Sequence, residues 1–438
     1  MKVKTIKILS GMLAMLAFTA CSSNIDESAD APRFYNVTLT ASMGDETTRA
    51  LSEGTDNAII ASFAENDEVV VVDADGSTIV GTLKAQSAGE STTLSGTLDA
   101  KTLEVNEVVK LRYRSATANY DGQVGTLAGI AAGQDYAEGT LTVSTTSPLA
   151  FTSNSVTLDA KQSITKFSFK DASTDAAVSV KTFGIAAVGL VQSIATNGTE
   201  TVGAVTGTLA SASSDVYVAL RTSSSSQAYS FTVKDNDGNW YTATKNAKLT
   251  NVKNYVATVK LTKWIDKDNN LSSSSVVGTI GLLNGLPAIA IGDNKAVALM
   301  NVGALCPEAY GTYYTFANQA SGLPSGWYVP TKAEFDVLIT NTEDRTNDWA
   351  TRNGVSGRLF TIKGNKLFLP AAGYIDNDLY DGDSNSLLLD VSTVGYYWSQ
   401  TNYDEDEAYC YRFSSPSNNT YGEYKVNALT VRPFHALN

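Results

Sequence analysis

Apolar and polar side chains alternate along much of this chain, and the alternation limits it to folds built from sheets. In residues 35–41 every second position is apolar, namely Tyr35, Val37, Leu39 and Ala41. Successive side chains of a strand point to opposite faces, so this pattern predicts a strand with one buried face. Ser/Thr-rich strands of the same kind recur, and no long amphipathic helix precedes residue 265. The sequence therefore predicts β-sandwich domains.

Two hairpins are marked by short polar turns. An Asp/Gly turn joins Glu68–Val72 to residues 78–83, and an Asp/Asn/Gly turn at 235–239 joins residues 229–234 to 240–244. Asn, Asp and Gly tolerate the positive φ that tight hairpin turns require. Each turn therefore predicts that the two strands it joins pair in an antiparallel hairpin.

Charge and composition exclude several classes of function. The 438 residues carry a net charge of −13, which is a poor match for nucleic acid because its phosphates are neutralised by Lys and Arg. His435 is the single histidine, so metal sites built from several histidines are excluded. Three cysteines cannot build a disulfide scaffold. What remains is an acidic, multidomain protein.

The first residues have the pattern of an export signal. Lys2, Lys4 and Lys7 precede an apolar stretch at 8–18, and small residues lead up to Cys21. The apolar stretch is too short for a membrane-spanning helix. The end of the stretch resembles a bacterial lipobox, in which the cysteine thiol is lipidated and acyl chains anchor the protein. The alternative is an ordinary cleaved signal beside a cysteine.

Composition shifts divide the chain. Residues 266–275 lack periodicity and resemble a linker, and four of the five Trp lie at or beyond Trp264. The segment 331–334 fits a helix capping box, so the last section is predicted to be α+β. The predicted units are a signal peptide at 1–20, a lipid-linked leader with a removable strand at 21–49, β-sandwiches at 50–158 and 159–264, a linker at 265–287 and a last domain at 288–438.

Several short motifs occur in a fixed order within residues 21–262. They are Cys21, residues 47–50 (Thr-Thr-Arg-Ala), residues 63–69 (Phe-Ala-Glu-Asn-Asp-Glu-Val) and the closing strand 255–261. This layout resembles the fimbrillin family, the lipoprotein-derived subunits of type V pili in Gram-negative gut and oral bacteria. The resemblance implies two tandem transthyretin-like β-sandwich domains. It also implies an Arg-specific protease that removes the leader, followed by strand exchange between subunits.

A second set of motifs lies in the last domain. The blocks are residues 301–304, 307–311, 326–331, 368–374, 397–399 and 431–433. Together they resemble the major paralogous (FISUMP-type) domain, which is related to the C-type-lectin and formylglycine-generating-enzyme folds. The resemblance implies an α+β lectin-like domain after the two sandwiches.

Arg49 is the expected processing site, with Ala50 as the new N-terminus. Cleavage there would release the strand 35–41, and the exposed backbone and apolar groove could then accept a strand from another chain. The alternatives are an unprocessed lipoprotein and cleavage at Arg33, which would spare the strand. A globular domain after residue 265 should hinder donation of a C-terminal strand, so the chain is expected at a pilus tip.

Three further groups of residues are candidates for chemistry. Cys306 and Cys410 could form a disulfide in an exported protein, remain buried thiols, or form a catalytic pair. Trp327 and Trp398 could stack on sugars or belong to the core. An acidic loop could hold Ca²⁺ or simply face water, and its carboxylates are Asp376, Asp378, Asp381 and Asp383.

Two classes of function remain open. The first is a non-enzymatic tip subunit of a type V-like pilus, located at the outer membrane, cell surface and fimbrium. Its partners would be other pilin subunits, a host or microbial glycan or protein, and outer-membrane lipid through Cys21 before processing. The second is a surface lipoprotein that does not polymerise and captures glycans or protein ligands. No hydrolase, Walker or dinucleotide motif occurs, and no cofactor is expected.

Overall fold

The computed structural model describes residues 34–44, 52–53, 59–60, 62–221, 226–250, 253–377 and 387–438. Within this part of the chain the protein is mainly β, as the alternating pattern predicts. No helix among these residues is both long enough and apolar enough to cross a bilayer.

The first domain is a closed ring of strands. Seven strands pair in the order β9–β11–β1–β6–β5–β4–β7, and β7 also pairs with β9, so the ring has no free edge; β10 extends from β9. Its interior is filled by aliphatic side chains, among them Leu39, Leu83, Leu94 and Leu158. The elements up to residue 160 are β1 (Phe34–Met43), β2 (Ser52–Glu53), β3 (Ile59–Ile60), β4 (Glu68–Val72), β5 (Ile79–Ala85), β6 (Ser91–Asp99), β7 (Val108–Tyr113), β8 (Ala118–Asn119), α1 (Leu127–Gly133), β9 (Ala137–Thr146), β10 (Leu149–Phe151) and β11 (Ser155–Ala160).

The second domain is a seven-stranded sheet wrapped around its own core. The strands pair in the order β16–β13–β18–β19–β20–β12–β17, and β14 and β15 form a small sheet with β8. Three aromatic rings, Phe167, Phe169 and Phe231, pack against one another at the centre. The strands are β12 (Ser163–Asp171), β13 (Val180–Ala186), β14 (Val191–Ile194), β15 (Glu200–Val202), β16 (Val205–Ser213), β17 (Asp215–Leu220), β18 (Gln227–Asp235), β19 (Trp240–Ala247) and β20 (Asn254–Ile265).

A segment of the first domain completes the second. Residues 114–136, which we call the insertion, lie between β7 and β9 in the chain and contain β8 and α1. Tyr120, Ile130 and Tyr136 of the insertion are buried in the hydrophobic core of the second domain. The predicted boundary at 158/159 falls within β11 of the first domain, and it leaves the insertion apart from the core in which it is buried.

Gln123 joins the two edges of the second sheet. Its backbone N–H donates to Thr206 O of β16 at 2.9 Å, and its carbonyl accepts from Thr208 N at 2.9 Å. Its side chain pairs with Ala219 of β17, accepting from the N–H at 2.9 Å and donating to the carbonyl at 2.8 Å. Gln123 is only 1% exposed. One residue of the insertion thus satisfies backbone groups that an open sheet would leave unpaired.

The third domain surrounds one short helix with four small sheets. Their orders are β21–β22–β23–β35–β25, β24–β34–β29–β30, β26–β27–β28 and β31–β32–β33. Its elements are β21 (Ile280–Leu283), β22 (Leu286–Gly292), β23 (Lys295–Ala298), β24 (Tyr314–Thr315), a 3-10 helix (Phe316–Asn318), β25 (Trp327–Tyr328), α2 (Lys332–Ile339), β26 (Arg345–Arg352), β27 (Val355–Ile362), β28 (Asn365–Pro370), β29 (Tyr374–Asp376), β30 (Leu387–Leu389), β31 (Gly395–Asn402), β32 (Glu407–Phe413), β33 (Asn418–Tyr424), β34 (Ala428–Leu429) and β35 (Phe434–Ala436).

Helix α2 begins as its sequence predicts. The Thr331 hydroxyl accepts from the backbone N–H of Glu334, and the Glu334 carboxylate accepts from the backbone N–H of Thr331, which confirms the capping box. Phe335 and Leu338 point into the core beside Tyr411 and Phe434. The cap and the buried face together fix the helix against β31–β33.

Arg432 ties three segments of the third domain together. Its guanidinium is fully buried and donates to Asn301 Oδ1 at 2.9 Å, Ala298 O at 3.0 Å and Phe368 O at 2.9 Å. All three acceptors are neutral, and burial lowers the pKa of Arg432 to about 10. Residues 301–304, 368–374 and 431–433, which stand far apart in the sequence, therefore meet at this side chain.

The third domain packs directly on the second. Trp240 and Ile265 form a hydrophobic cluster with Leu282 and Met300. The predicted linker at 265–287 is wrong in its second half, because β21 (Ile280–Leu283) is a strand of the third domain. The polar, aperiodic sequence covers only residues 266–275, and the predicted linker extended beyond it across β21.

Candidate functional site: the groove of β1 and the third domain

Strand β1 is the part of the predicted leader that the structure describes. It is one of the paired strands of the closed ring in the first domain. It pairs antiparallel with β6, from Phe34 opposite Asp99 to Ser42 opposite Ser91. On its other side residues Thr40–Met43 pair in parallel with Ser155–Leu158 of β11. The predicted strand at 35–41 is confirmed, and it has a neighbour on each side.

The two faces of β1 differ sharply. Val37, Leu39 and Ala41 are 6%, 3% and 0% exposed, whereas Thr38 and Thr40 between them face solvent. Leu39 lies opposite Leu94 of β6 in the register. Removing β1 would leave an apolar groove between β6 and β11, and these two strands would lose their backbone hydrogen-bond partners in β1.

The position of β1 is repeated in the second domain. There the first strand, β12, pairs in parallel with the last strand, β20, and antiparallel with β17. In the first domain β1 likewise pairs in parallel with the last strand, β11, and antiparallel with β6. Because β12 is an integral strand of its domain, β1 is one too, rather than a tail added to a finished fold.

The residues predicted to be modified flank β1 in the sequence. Cys21, Arg33, Arg49 and Ala50 all lie outside the described residues. Lipidation at Cys21 and cleavage after Arg49 therefore stay predictions. What the structure adds is that a cut between residue 43 and residue 62 would separate β1 from the rest of its ring.

The two tryptophans considered for sugar stacking belong to the core. Trp398 is fully buried, and its indole N–H donates to Tyr314 O at 2.6 Å. Trp327 is 5% exposed and packs edge-to-face on His435, with ring centroids 5.1 Å apart. Neither ring has a free face, so the ligand-binding interpretation of both is wrong.

The two cysteines of the third domain form no disulfide. Cys306 is buried among Ala186, Ala204 and Ala309 at the contact with the second domain. Cys410 is buried on β32 in a different cluster. The disulfide expectation is therefore wrong, because the two thiols belong to separate parts of the core.

Both thiols should be unreactive in the folded protein. Burial raises the pKa of Cys306 and of Cys410, which disfavours the reactive thiolate. In a Cys21→Ser form we expect no reaction with Ellman's reagent in native buffer and two reactive thiols in guanidinium chloride. Two thiols that stay silent after denaturation without reductant would contradict the structure, since only a disulfide gives that result.

The acidic loop is largely beyond the described residues. Asp376 ends β29, while Asp378, Asp381 and Asp383 lie outside them. Within the described chain no group of three His, Cys, Asp or Glu side chains is placed to hold a metal ion. The calcium prediction at this loop stays untested.

A cleft between the second and third domains was not anticipated from the sequence. It has a volume of about 780 Å³ and is lined by Thr232, Thr242 and Thr262 on one side and by Arg352 and Phe368 on the other. The hydroxyl residues recur at every second position of β18 and β19, a signal that was visible in the sequence. The sequence could not show that these residues face the third domain, because that depends on how the second and third domains pack.

Comparisons with known proteins find one family profile and several solved structures with limited similarity to this chain. The family profile described as Domain of unknown function (DUF8237) matches residues 347–434, within the third domain. A candidate cell adhesion protein from Bacteroides uniformis is similar at 15% identity and a TM-score of 0.31, covering 52% of this chain and 96% of that one. No curated protein matches the sequence.

Two further solved structures are similar over about the same extent. A candidate cell adhesion protein from Bacteroides ovatus shares 13% identity with a TM-score of 0.31, covering 53% of this chain and 96% of that one. A fimbrial assembly protein from Parabacteroides distasonis shares 10% identity with a TM-score of 0.27, covering 52% of this chain and 91% of that one.

Proposed function

We propose that this protein is a non-enzymatic surface subunit of a pilus, exported as a lipoprotein and assembled by strand exchange at β1. The observation that carries the proposal is the place of β1, which is the first strand of the described residues and pairs with β6 along its length and with β11 over Thr40–Met43. A strand so placed can be replaced only by another strand of the same pattern. That requirement is the chemical basis of assembly by β-augmentation.

The sequence around β1 supports this use. The leader resembles that of the fimbrillin family, and Arg49 follows β1 before the next strand of the ring. Cleavage after Arg49 would leave β1 held only by hydrogen bonds and apolar contacts. A donor strand with small or aliphatic residues at alternate positions would then compete for the places of Val37, Leu39 and Ala41.

The C-terminal side supports a terminal position in the assembly. Strand β20, the last of the second domain, lies between β19 and β12. Its end at Ile265 is packed against Leu282 and Met300 of the third domain. Since β20 is internal and continues into a packed domain, we propose that the subunit accepts a strand but donates none. The third domain, proposed to be lectin-like, would then face outward and serve in adhesion.

The experiment uses a labelled peptide with the sequence of β1 (Phe34–Met43). The full chain carrying Cys21→Ser is cut with an Arg-specific protease, and cleavage after Arg49 is verified by N-terminal mass spectrometry. We expect the cut protein to exchange its own β1 for the labelled peptide with one peptide per chain. The Arg49→Gln form should capture none, because its β1 stays covalently attached.

A peptide carrying the Leu39→Asp change is the matched control and should not bind. Equal capture by the Arg49→Gln protein, or no capture by the cut wild type, would overturn strand exchange. In cells, an intact lipidated Cys21 in every assembled copy would favour the alternative of a surface lipoprotein that does not polymerise.

A further inference from the structure

The cleft between the second and third domains has walls that are fixed to each other. At one end the turn of the β26–β27 hairpin presses on the second domain, where a Cβ on Gly354 would collide with Ala187 and Val188. Close by, Tyr310 donates its hydroxyl hydrogen to Val202 O at 2.8 Å. These contacts join the two domains beside the cleft, which has a volume of about 780 Å³. Ligand sites of this size occur preferentially at domain interfaces.

The wall of the cleft that belongs to the second domain carries five hydroxyl side chains. Thr232, Thr242 and Thr262 lie side by side on β18, β19 and β20, and Ser230 pairs with Thr244 in the next row. Neighbouring strands are about 4.8 Å apart, so the hydroxyls are evenly spaced. In the part of the chain that the structure describes, none of the five has a protein hydrogen-bond partner.

Burial makes this absence of partners significant. Thr232 is only 6% exposed as a residue, and it lines the cleft without a protein partner for its hydroxyl among the described residues. A hydroxyl both donates and accepts, and so does each hydroxyl of a sugar. A row of such groups on neighbouring strands is suited to a chain of sugar rings.

The opposite wall carries positive charge. The Arg352 Nε forms an ion pair with Glu308 Oε1 at 2.8 Å, and Asn353 Nδ2 donates to the same oxygen at 2.7 Å. The Glu308 side chain is 3% exposed and that of Arg352 is 35% exposed, so the ion pair joins a buried carboxylate to a partly exposed guanidinium. Among the described residues the ion pair of Arg352 involves only Nε, and its two terminal nitrogens make no hydrogen bond to protein. Guanidinium groups bind carboxylates through paired N–H donors.

The charge of the lining contrasts with that of the whole chain. The chain has 45 Asp and Glu against 32 Lys and Arg. The residues that line the cleft nevertheless include Arg352 and Lys366 and no carboxylate. The half-buried indole of Trp264, two residues after Thr262 on β20, supplies apolar surface to the lining. An anionic ligand with many hydroxyls and an apolar ring face matches all three features.

We propose that this cleft binds an acidic oligosaccharide, a sugar chain whose carboxylate is held by Arg352 and Lys366 while its hydroxyls bond to the threonine rows. This inference rests on the proposed adhesive role, and it names the class of ligand to which the protein would adhere. It does not depend on strand exchange, because the cleft is complete in the single chain.

The test measures binding by calorimetry to the uncut Cys21→Ser chain. The probes are tetragalacturonate and a linear sialic acid tetramer, each with its carboxyl-reduced form, and a tetraglutamate peptide. We expect an acidic sugar to bind and its reduced form to bind about tenfold more weakly or not at all. Arg352→Gln should raise Kd about tenfold, and Thr242→Val and Lys366→Gln should raise it roughly threefold or more.

Lys363→Gln is the matched control, since Lys363 lies in the turn of the hairpin that carries Lys366 on β28 but pairs with Asp344 outside the cleft. It should leave Kd unchanged. Thr242→Val keeps the shape and strand preference of the side chain, so it tests the hydroxyl without the risk of misfolding. The proposal is overturned if no acidic sugar binds at millimolar concentration, if reduced sugars or tetraglutamate bind equally well, or if the cleft variants bind like wild type. None of these outcomes bears on peptide capture at β1.

Discussion

Leu39→Asp is expected to lower the free energy of unfolding of the first domain by about 4 kcal/mol or more. Leu39 is 3% exposed at the centre of β1 and packs in the ring with Leu83 and Leu94. Removing a buried leucine side chain costs about 2–5 kcal/mol, and placing a carboxylate there adds an unpaired charge. Guanidinium denaturation followed by circular dichroism measures the loss.

Thr38→Asp is the matched control, because Thr38 is the preceding residue of the same strand and faces solvent. It should cost less than about 1 kcal/mol, mostly through the weak strand preference of Asp. If both variants lost stability equally, β1 would not be a strand with one buried face. If neither did, β1 would contribute nothing to the ring, and the strand-exchange proposal would lose its basis.

Arg432→Met is expected to cost the third domain about 3–5 kcal/mol. The change leaves Asn301 Oδ1 and the carbonyls of Ala298 and Phe368 without their donor inside the core. Each buried acceptor that loses its partner costs about 1–3 kcal/mol, which the smaller desolvation cost of methionine only partly offsets. Tryptophan fluorescence is a suitable probe, since Trp327, Trp349 and Trp398 all lie in this domain.

Two further variants separate the hydrogen bonds of Arg432 from its charge. Arg432→Lys keeps the charge but replaces the planar fork with a single ammonium group, so it should lose about half as much stability or more. Arg412→Met removes a partly exposed arginine from the same domain and should cost less than about 1 kcal/mol. Full stability in Arg432→Lys would show that charge alone matters at this position.

Local patterns predicted the elements that depend on neighbouring residues. Strand β1, the hairpin of β18 and β19 and the capping box of α2 are confirmed because alternation, turn residues and caps act within a few positions. The same reasoning failed where distant segments meet. Nothing near Gln123 in the sequence indicates that it bridges β16 and β17, and the two cysteines gave no sign of lying in separate clusters.

The candidate site was predicted only in part, for the same reason. The place of β1 followed from its alternation, whereas its two neighbours, β6 and β11, are set by pairings across about 50 to 115 residues. Trp327 and Trp398 were plausible ligands for sugars by residue type alone, but burial assigns them to the core. The cleft residues could not be predicted, because the two walls come from different domains.

The insertion has a mechanical consequence. The backbone passes between the first two domains three times, out before β8, back before β9 and out again before β12. A tensile force on the third domain would therefore be shared among three covalent crossings and the hydrogen bonds of Gln123. Connections that carry a force in parallel share it, so each one bears less than the whole. We therefore expect the first two domains to resist being pulled apart and to move as one unit.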